Sequence, residues 1–228
     1  MKPENQRLSD KVAAKIYESI NNGLFKPGDW LNQEKIASTY EVSQVTAREA
    51  LNKLVVEGLA ERIPRQGVRV PIITIHDIID IYEMRIQFEA KAWSIAAQTI
   101  TPGDIEHMRQ LLPHTGVKTD PNSIEITRRN NYEFHMTAIR ASGRWTLIRI
   151  LSQLLNMNNL RFLLSTSTQK IRESDGQINI QDHENLINAL EKRDSRLTEE
   201  MIAQHIRRSM KDRLELYQST ISTGIQDL

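Results

Sequence analysis

Six histidines and no cysteine set the metal and nucleophile chemistry open to this chain. In the stretch RRNNYEFHMTAIRASG, residues 128–143, Asn131 and His135 stand four apart. On a helix, that spacing puts both side chains on one face about one turn apart, close enough to share one ion. His183 in QDHENL and His205 in AQHIRR fall in two other segments of helical pattern, as a site in the core of a helical bundle requires. Three imidazoles suit zinc, nickel, iron or copper, and an oxygen donor at Asn131 leaves room for water or a carboxylate ligand. A histidine standing alone is more often structural, and His76, His107 and His114 read that way.

A second group of residues fits nucleic acid. In QVTAREALNKLVVE, Ala47, Ala50, Leu51 and Leu54 form one helical stripe, while Gln44, Val45, Arg48 and Asn52 fall on a neighbouring face. A helix buried along the first stripe offers the second to the major groove. There Arg pairs bidentately with guanine, and Gln or Asn pairs with adenine. Arg62, Arg65 and Arg69 lie around a turn at Gly67, where they can meet phosphates or the minor groove.

The local pattern supplies the elements that carry these residues. A first helix is expected from a cap at Ser9 to Gly23, a short second one from Asn32, and a third capped by Ser43 and ended by Gly58. LAERI, PRQG and VRV then predict a hairpin. Helix, short helix, turn, helix and hairpin is the order of a winged helix-turn-helix. From Asp77 onward only helical patterns appear, about six of them. Starts are expected at Asp77, at Thr101-Pro102 with Asp104, and at Asn122 with Glu125, and a stop at Gly143. The fold class is therefore mainly α. Residues 1–72 form a winged helix-turn-helix with a small β-hairpin wing, and residues 73–228 form an all-α helical bundle.

These motifs carry a resemblance. VSQVTAREALNKLVVEGLAERIPRQGVRV resembles the signature of GntR-type transcription regulators over residues 8–71. Gln44, Val45 and Thr46 depart from the usual Arg, Thr and Pro, which leaves the usual operator sequence open. Arg48 matches the arginine that contacts bases in that family. YEMRIQFEAKAWSIAA resembles the first core helix of the FCD effector domain of the FadR-type branch, through Arg85 and Glu89, and that resemblance runs over roughly residues 74–220. The family's D-x-x-F-H landmark is met by Asn131-Tyr-Glu-Phe134-His135, and His183 and His205 match its other two histidines.

The resemblance implies a ligand-responsive, dimeric DNA-binding regulator reading a double-stranded operator. It also implies a divalent transition metal held by Asn131, His135, His183 and His205. Asn131 stands where an anionic Asp is usual, so the expectation is either weaker metal binding than usual or a site that has drifted to metal-free ligand binding. The effector is expected to be a small carboxylate, met by Arg85, Asn131 and, as a weaker candidate, Arg161. On that reading Arg85→Ala removes the effector response and spares stability, unless Arg85 is the ion-pair partner of Glu89.

Composition bounds these readings. Net charge is only +1, with 11 Lys/Arg against 9 Asp/Glu in residues 1–72 and 19 against 20 in the rest, so any DNA surface must be local. The longest apolar runs are too short to span a bilayer, and MKPENQRLSDK lacks the apolar region of a signal peptide. The absence of cysteine excludes disulfides and thiolate ligands and fits a cytoplasmic protein. Two other functions fit the same residues. One is a metal-dependent hydrolase on the three histidines, with Glu133, Asp182 or Glu184 as base, although no H-E-x-x-H is present. The other is a DNA-architectural protein whose bundle is purely structural.

Overall fold

The computed structural model describes residues 7–21, 23–112, 121–160 and 173–222. They fall into two compact units, described separately below. The first contains α1 (Leu8–Asn21), α2 (Gln33–Thr39), α3 (Gln44–Val56), β1 (Glu61–Ile63) and β2 (Gly67–Arg69). The second is built on α4 (Ile75–Thr99), α5 (Pro102–Leu111), α6 (Pro121–Ala141), α7 (Trp145–Leu160) as far as Leu155, α8 (Glu173–Glu191) and α9 (Ser195–Ser222). This is the expected mainly α architecture, a winged helix-turn-helix followed by a helical domain.

Local chemistry accounts for several helix ends. The Asn32 side chain accepts from Lys35 N at 3.0 Å and Ser43 Oγ from Thr46 N at 3.1 Å, each pairing an amide that the first helical turn leaves open. Thr101 and Asp104 form a reciprocal capping box with Pro102 in the first turn of α5. Gly58 and Gly143 follow α3 and α6 with φ of 73° and 64°, a conformation that lets the chain leave a helix and that side chains disfavour.

Three starts differ from the sequence expectation. Arg7 C=O accepts from Lys11 N, so α1 begins ahead of Ser9. Asp77 lies inside the first turn of α4, where a carboxylate still favours the positive end of the helix dipole. Proline fits a first helical position, and α6 begins at Pro121, one residue before Asn122.

In the first unit, Val12, Ile16 and Ile20 of α1, Ile36 of α2 and Ala47, Ala50, Leu51 and Leu54 of α3 close one apolar core with Leu59, Val68 and Val70. Truncating a residue such as Leu54 in such a core costs about 2–5 kcal/mol. β1 and β2 pair antiparallel, with Arg62 opposite Val68 and Ile63 opposite Gly67. The segment between α1 and α2 also joins the hairpin. Leu31 N donates to Val68 C=O at 2.8 Å and Val70 N to Asp29 C=O at 2.9 Å, so residues 29–31 run along β2.

In the second unit, α4 and α9 pack along each other, and α6 and α8 also pack on α4. Their shared interior holds Trp93, Phe134, Met136, Ile139, Leu186, Ile187, Ile202 and Ile206, all nearly or fully excluded from solvent. No described helix is long and apolar enough to cross a membrane.

Candidate functional site

The outer face of α3 is set by the burial of its inner one. With Ala47, Ala50, Leu51 and Leu54 in the core, Gln44, Val45, Arg48 and Asn52 are exposed. The first turn of α3 carries no acidic residue, so nothing there repels a phosphate approaching its amide-rich end. Val45 is 55% exposed, an apolar group of the kind that thymine methyls accept in the major groove.

The wing arginines divide into two kinds. Arg62 donates to Asn52 Oδ1, tying the wing to α3. Arg69 is paired with Glu61 Oε1 at 2.6 Å and lies over the Trp30 ring at 5.9 Å. Arg48 and Arg65 are exposed and have no protein partner among the described residues. Arg65 sits at the wing tip, between β1 and β2, with φ of 65°. Gly67 packs against Trp30: a Cβ there would meet the ring at 3.8 Å.

A free cation at the tip of a wing makes a specific expectation. Arg65→Ala weakens binding to operator and random duplex alike, and it reduces the slope of log K against log salt by about 1. Fluorescence anisotropy across a salt series measures it. An altered base preference with an unchanged slope would show that Arg65 reads bases instead.

In the helical unit, His135 on α6, His183 on α8 and His205 on α9 converge. One ring nitrogen of each lies within 4.8 Å of the others, and all three side chains are buried. The rings sit centroid to centroid at 5.7 Å (135 to 183), 5.4 Å (135 to 205) and 4.9 Å (183 to 205), with Phe134 stacked on His183 at 4.2 Å. Neither nitrogen of His183 has a hydrogen-bond partner, nor has His205 Nδ1. Burial pushes the pKa of His183 well down, helped by the neighbouring His205 and His135. Burial also lowers that of His205, against the pull of Asp182. Burial thus disfavours the charged form of both rings. Orphaned imidazole nitrogens in a dry core are unfavourable unless something binds them, and a divalent metal fits this donor set.

The remaining predicted residues are placed less uniformly. Asn131 lies one turn before His135 on α6 and is half-buried. Arg85 on α4 is buried, and its Nε donates to Glu89 Oε2 at 3.0 Å, which is the ion-pair alternative raised by the sequence. An acidic effector would therefore meet that guanidinium only through its terminal nitrogens. Arg161 lies outside the described residues, as does His114. His76 and His107 are exposed and are not among the clustered histidines.

Glu89 is the residue that the choice of site residues passed over. Its other oxygen, Oε1, contacts His135 Nδ1, and its side chain is fully buried. Burial alone would raise its pKa, but the Arg85 guanidinium and the hydrogen-bonded His135 outweigh burial and hold it at about 2. The available signal was its position, four residues after Arg85 in a helix of otherwise apolar and small residues. Behind His205, Asp182 Oδ2 stands 3.8 Å from Nδ1, and both Asp182 oxygens accept from Arg208 at 2.7 Å.

Comparison with known proteins matches two family models along the chain. Residues 8–70 match the model of the bacterial regulatory proteins of the gntR family, and residues 80–208 match the FCD domain. The chain is 27% identical over 125 residues to the Nta operon transcriptional regulator of Aminobacter aminovorans, covering 55% of this chain and 59% of that one. It is 30% identical over 122 residues to the HTH-type transcriptional regulator YdhC of Bacillus subtilis, covering 53% and 54%. The matched region thus spans little over half the length of these two relatives. A third match, the HTH-type regulator BphR of Paraburkholderia xenovorans, is 28% identical over 214 residues and covers 89% and 84%. Among solved structures, McbR/YncC of E. coli superposes with a TM-score of 0.74 at 22% identity, over 94% of this chain and 99% of that one. A transcriptional regulator from Rhodococcus sp. RHA1 gives 0.68 at 18%, over 91% and 97%. At such identities the two structures establish a shared fold. None of these matches supports a hydrolase.

Proposed function

Because this chain belongs to the GntR family of bacterial regulatory proteins, in the branch that carries an FCD domain, we propose that it is a transcription regulator whose helical domain senses a small carboxylate through a bound metal. Residues 1–72 bind operator DNA and residues 73–228 bind the effector. The observation that carries the sensing half is the buried convergence of His135, His183 and His205 with unpartnered nitrogens. A bundle that served only as structure would have little reason to bury three imidazoles in this way.

The metal is best matched by zinc or nickel, with imidazole donors and an oxygen from Asn131. When bound, it supplies a positive centre for a carboxylate, and the terminal nitrogens of Arg85 supply a second. On the DNA side, Arg48 and Gln44 read bases, Val45 meets a thymine methyl, and Arg65 meets phosphate. Arg62 supports α3 through Asn52, and Arg69 holds the wing against Trp30. A homodimer would present two such surfaces to a pseudo-palindromic operator.

A thermal-shift screen of small carboxylates, with and without zinc or nickel, tests the sensing half. The expected result is a rise in melting temperature that needs metal and carboxylate together. Stabilisation by neutral metabolites alone, indifferent to metal, would overturn it.

Asn131 makes a sharper expectation. Asn131→Asp places a negative charge beside the cation with almost no change of shape, so zinc binds more tightly in a calorimetric titration. An unchanged affinity would mean that Asn131 does not reach the ion.

A further inference from the structure

We propose that Glu89 is the positioning residue of the histidine cluster: it holds His135 with Nδ1–H toward itself and Nε2 toward the metal, and it supplies from behind the ligand the negative charge that Asn131 lacks. This rests on the metal-binding reading above and goes beyond it, to a residue on a fourth helix that is not itself among the clustered donors.

The argument begins with valence. An ionised carboxylate only accepts hydrogen bonds, so the contact between Glu89 Oε1 and His135 Nδ1 requires the proton on Nδ1. With that proton on Nδ1, Nε2 is the nitrogen through which His135 can offer a lone pair to a metal. Glu89 is in turn fixed by Arg85, whose Nε donates to the other oxygen at 3.0 Å from one turn earlier on α4. The carboxylate is fully buried, so water does not compete for it.

The other two rings lack this support. Both His183 nitrogens are unpartnered, and His205 Nδ1 is 3.8 Å from Asp182, beyond a hydrogen bond. Among the described residues, then, Glu89 is the carboxylate in hydrogen-bond contact with the cluster. A carboxylate on the far nitrogen of a ligating histidine raises its basicity and fixes its orientation, and losing one typically costs ten- to a hundredfold in metal affinity. That range is large enough to offset a neutral ligand at position 131.

Two measurements decide it. Nitrogen-15 NMR of histidine-labelled, metal-free wild type at pH 8 reads the tautomer of His135 directly. Nδ1–H is expected, and Nε2–H would overturn the proposal. Zinc titrations then compare wild type, Glu89→Gln, which keeps an acceptor and removes the charge, and Asp182→Asn. Glu89→Gln is expected to bind zinc roughly ten- to a hundredfold more weakly, and Asp182→Asn much less so. Equal zinc affinity in a folded Glu89→Gln overturns the role of Glu89 and leaves the metal site standing. If Glu89→Gln does not fold by circular dichroism, the wild-type tautomer decides alone. A wild type that binds neither zinc nor nickel overturns the metal reading, and this one with it.

Discussion

Arg85→Ala lowers the stability of the protein by about 3–5 kcal/mol, the usual cost of removing one partner of a buried ion pair. The loss comes from Glu89. Its side chain is fully buried, and its pKa of about 2 shows how strongly its surroundings favour the charged form. With Arg85 gone, the carboxylate keeps only His135, in an interior that cannot solvate it. For a domain of this size the melting temperature falls by roughly 10 °C. Replacing both partners with apolar residues, Arg85→Met with Glu89→Leu, recovers much of the loss, because no charge is then left unpaired. Urea unfolding followed by helical circular dichroism measures the cycle. A change below about 1 kcal/mol for Arg85→Ala would mean that solvent or another cation reaches Glu89. This result departs from the sequence-based expectation that Arg85→Ala spares stability, because the pairing ties the guanidinium to the fold.

Arg48→Ala sharply lowers discrimination between operator and random DNA while leaving the protein folded. Arg48 is exposed on α3, has no protein partner among the described residues, and lies one turn behind the acid-free N-terminus of its helix. A bidentate contact to guanine is worth about 1–3 kcal/mol at each base read, which is roughly 5- to 150-fold in relative affinity. The operator is obtained by selecting bound sequences from a randomised duplex, and anisotropy then compares it with a scrambled duplex. Wild-type discrimination in Arg48→Ala would exclude this helix face as the reader. Arg62→Ala offers a contrast. Since Arg62 is held by Asn52, its removal acts through the position of α3 and changes base preference less.

What the sequence by itself determined is local. Asn32, Ser43 and the Thr101–Asp104 pair cap helices because a side chain three residues away can reach an open amide. Gly58 and Gly143 end them because left-handed backbone disfavours side chains. The stripe of Ala47, Ala50, Leu51 and Leu54 fixed which face of α3 is buried, and therefore which is exposed. The histidines were legible as a group chiefly through the resemblance to the FCD domain, since a histidine standing alone is more often structural.

Tertiary structure decided the contacts between distant residues. Nothing in a local pattern says that His135 meets Glu89, 46 positions away, or that Asp182 stands behind His205. Of the three wing arginines, which the sequence did not tell apart, folding tied Arg62 to Asn52 and Arg69 to Glu61 and left Arg65 exposed, as Arg48 is on α3. Residues 29–31 join the wing because β2 has an unpaired edge, and a strand edge satisfies its amides with whatever backbone packing brings alongside. The spacing of four between Arg85 and Glu89 allowed an ion pair. The packing of α6, α8 and α9 on α4 placed that pair in a dry interior, where its charges must hold each other and orient the histidine beside them.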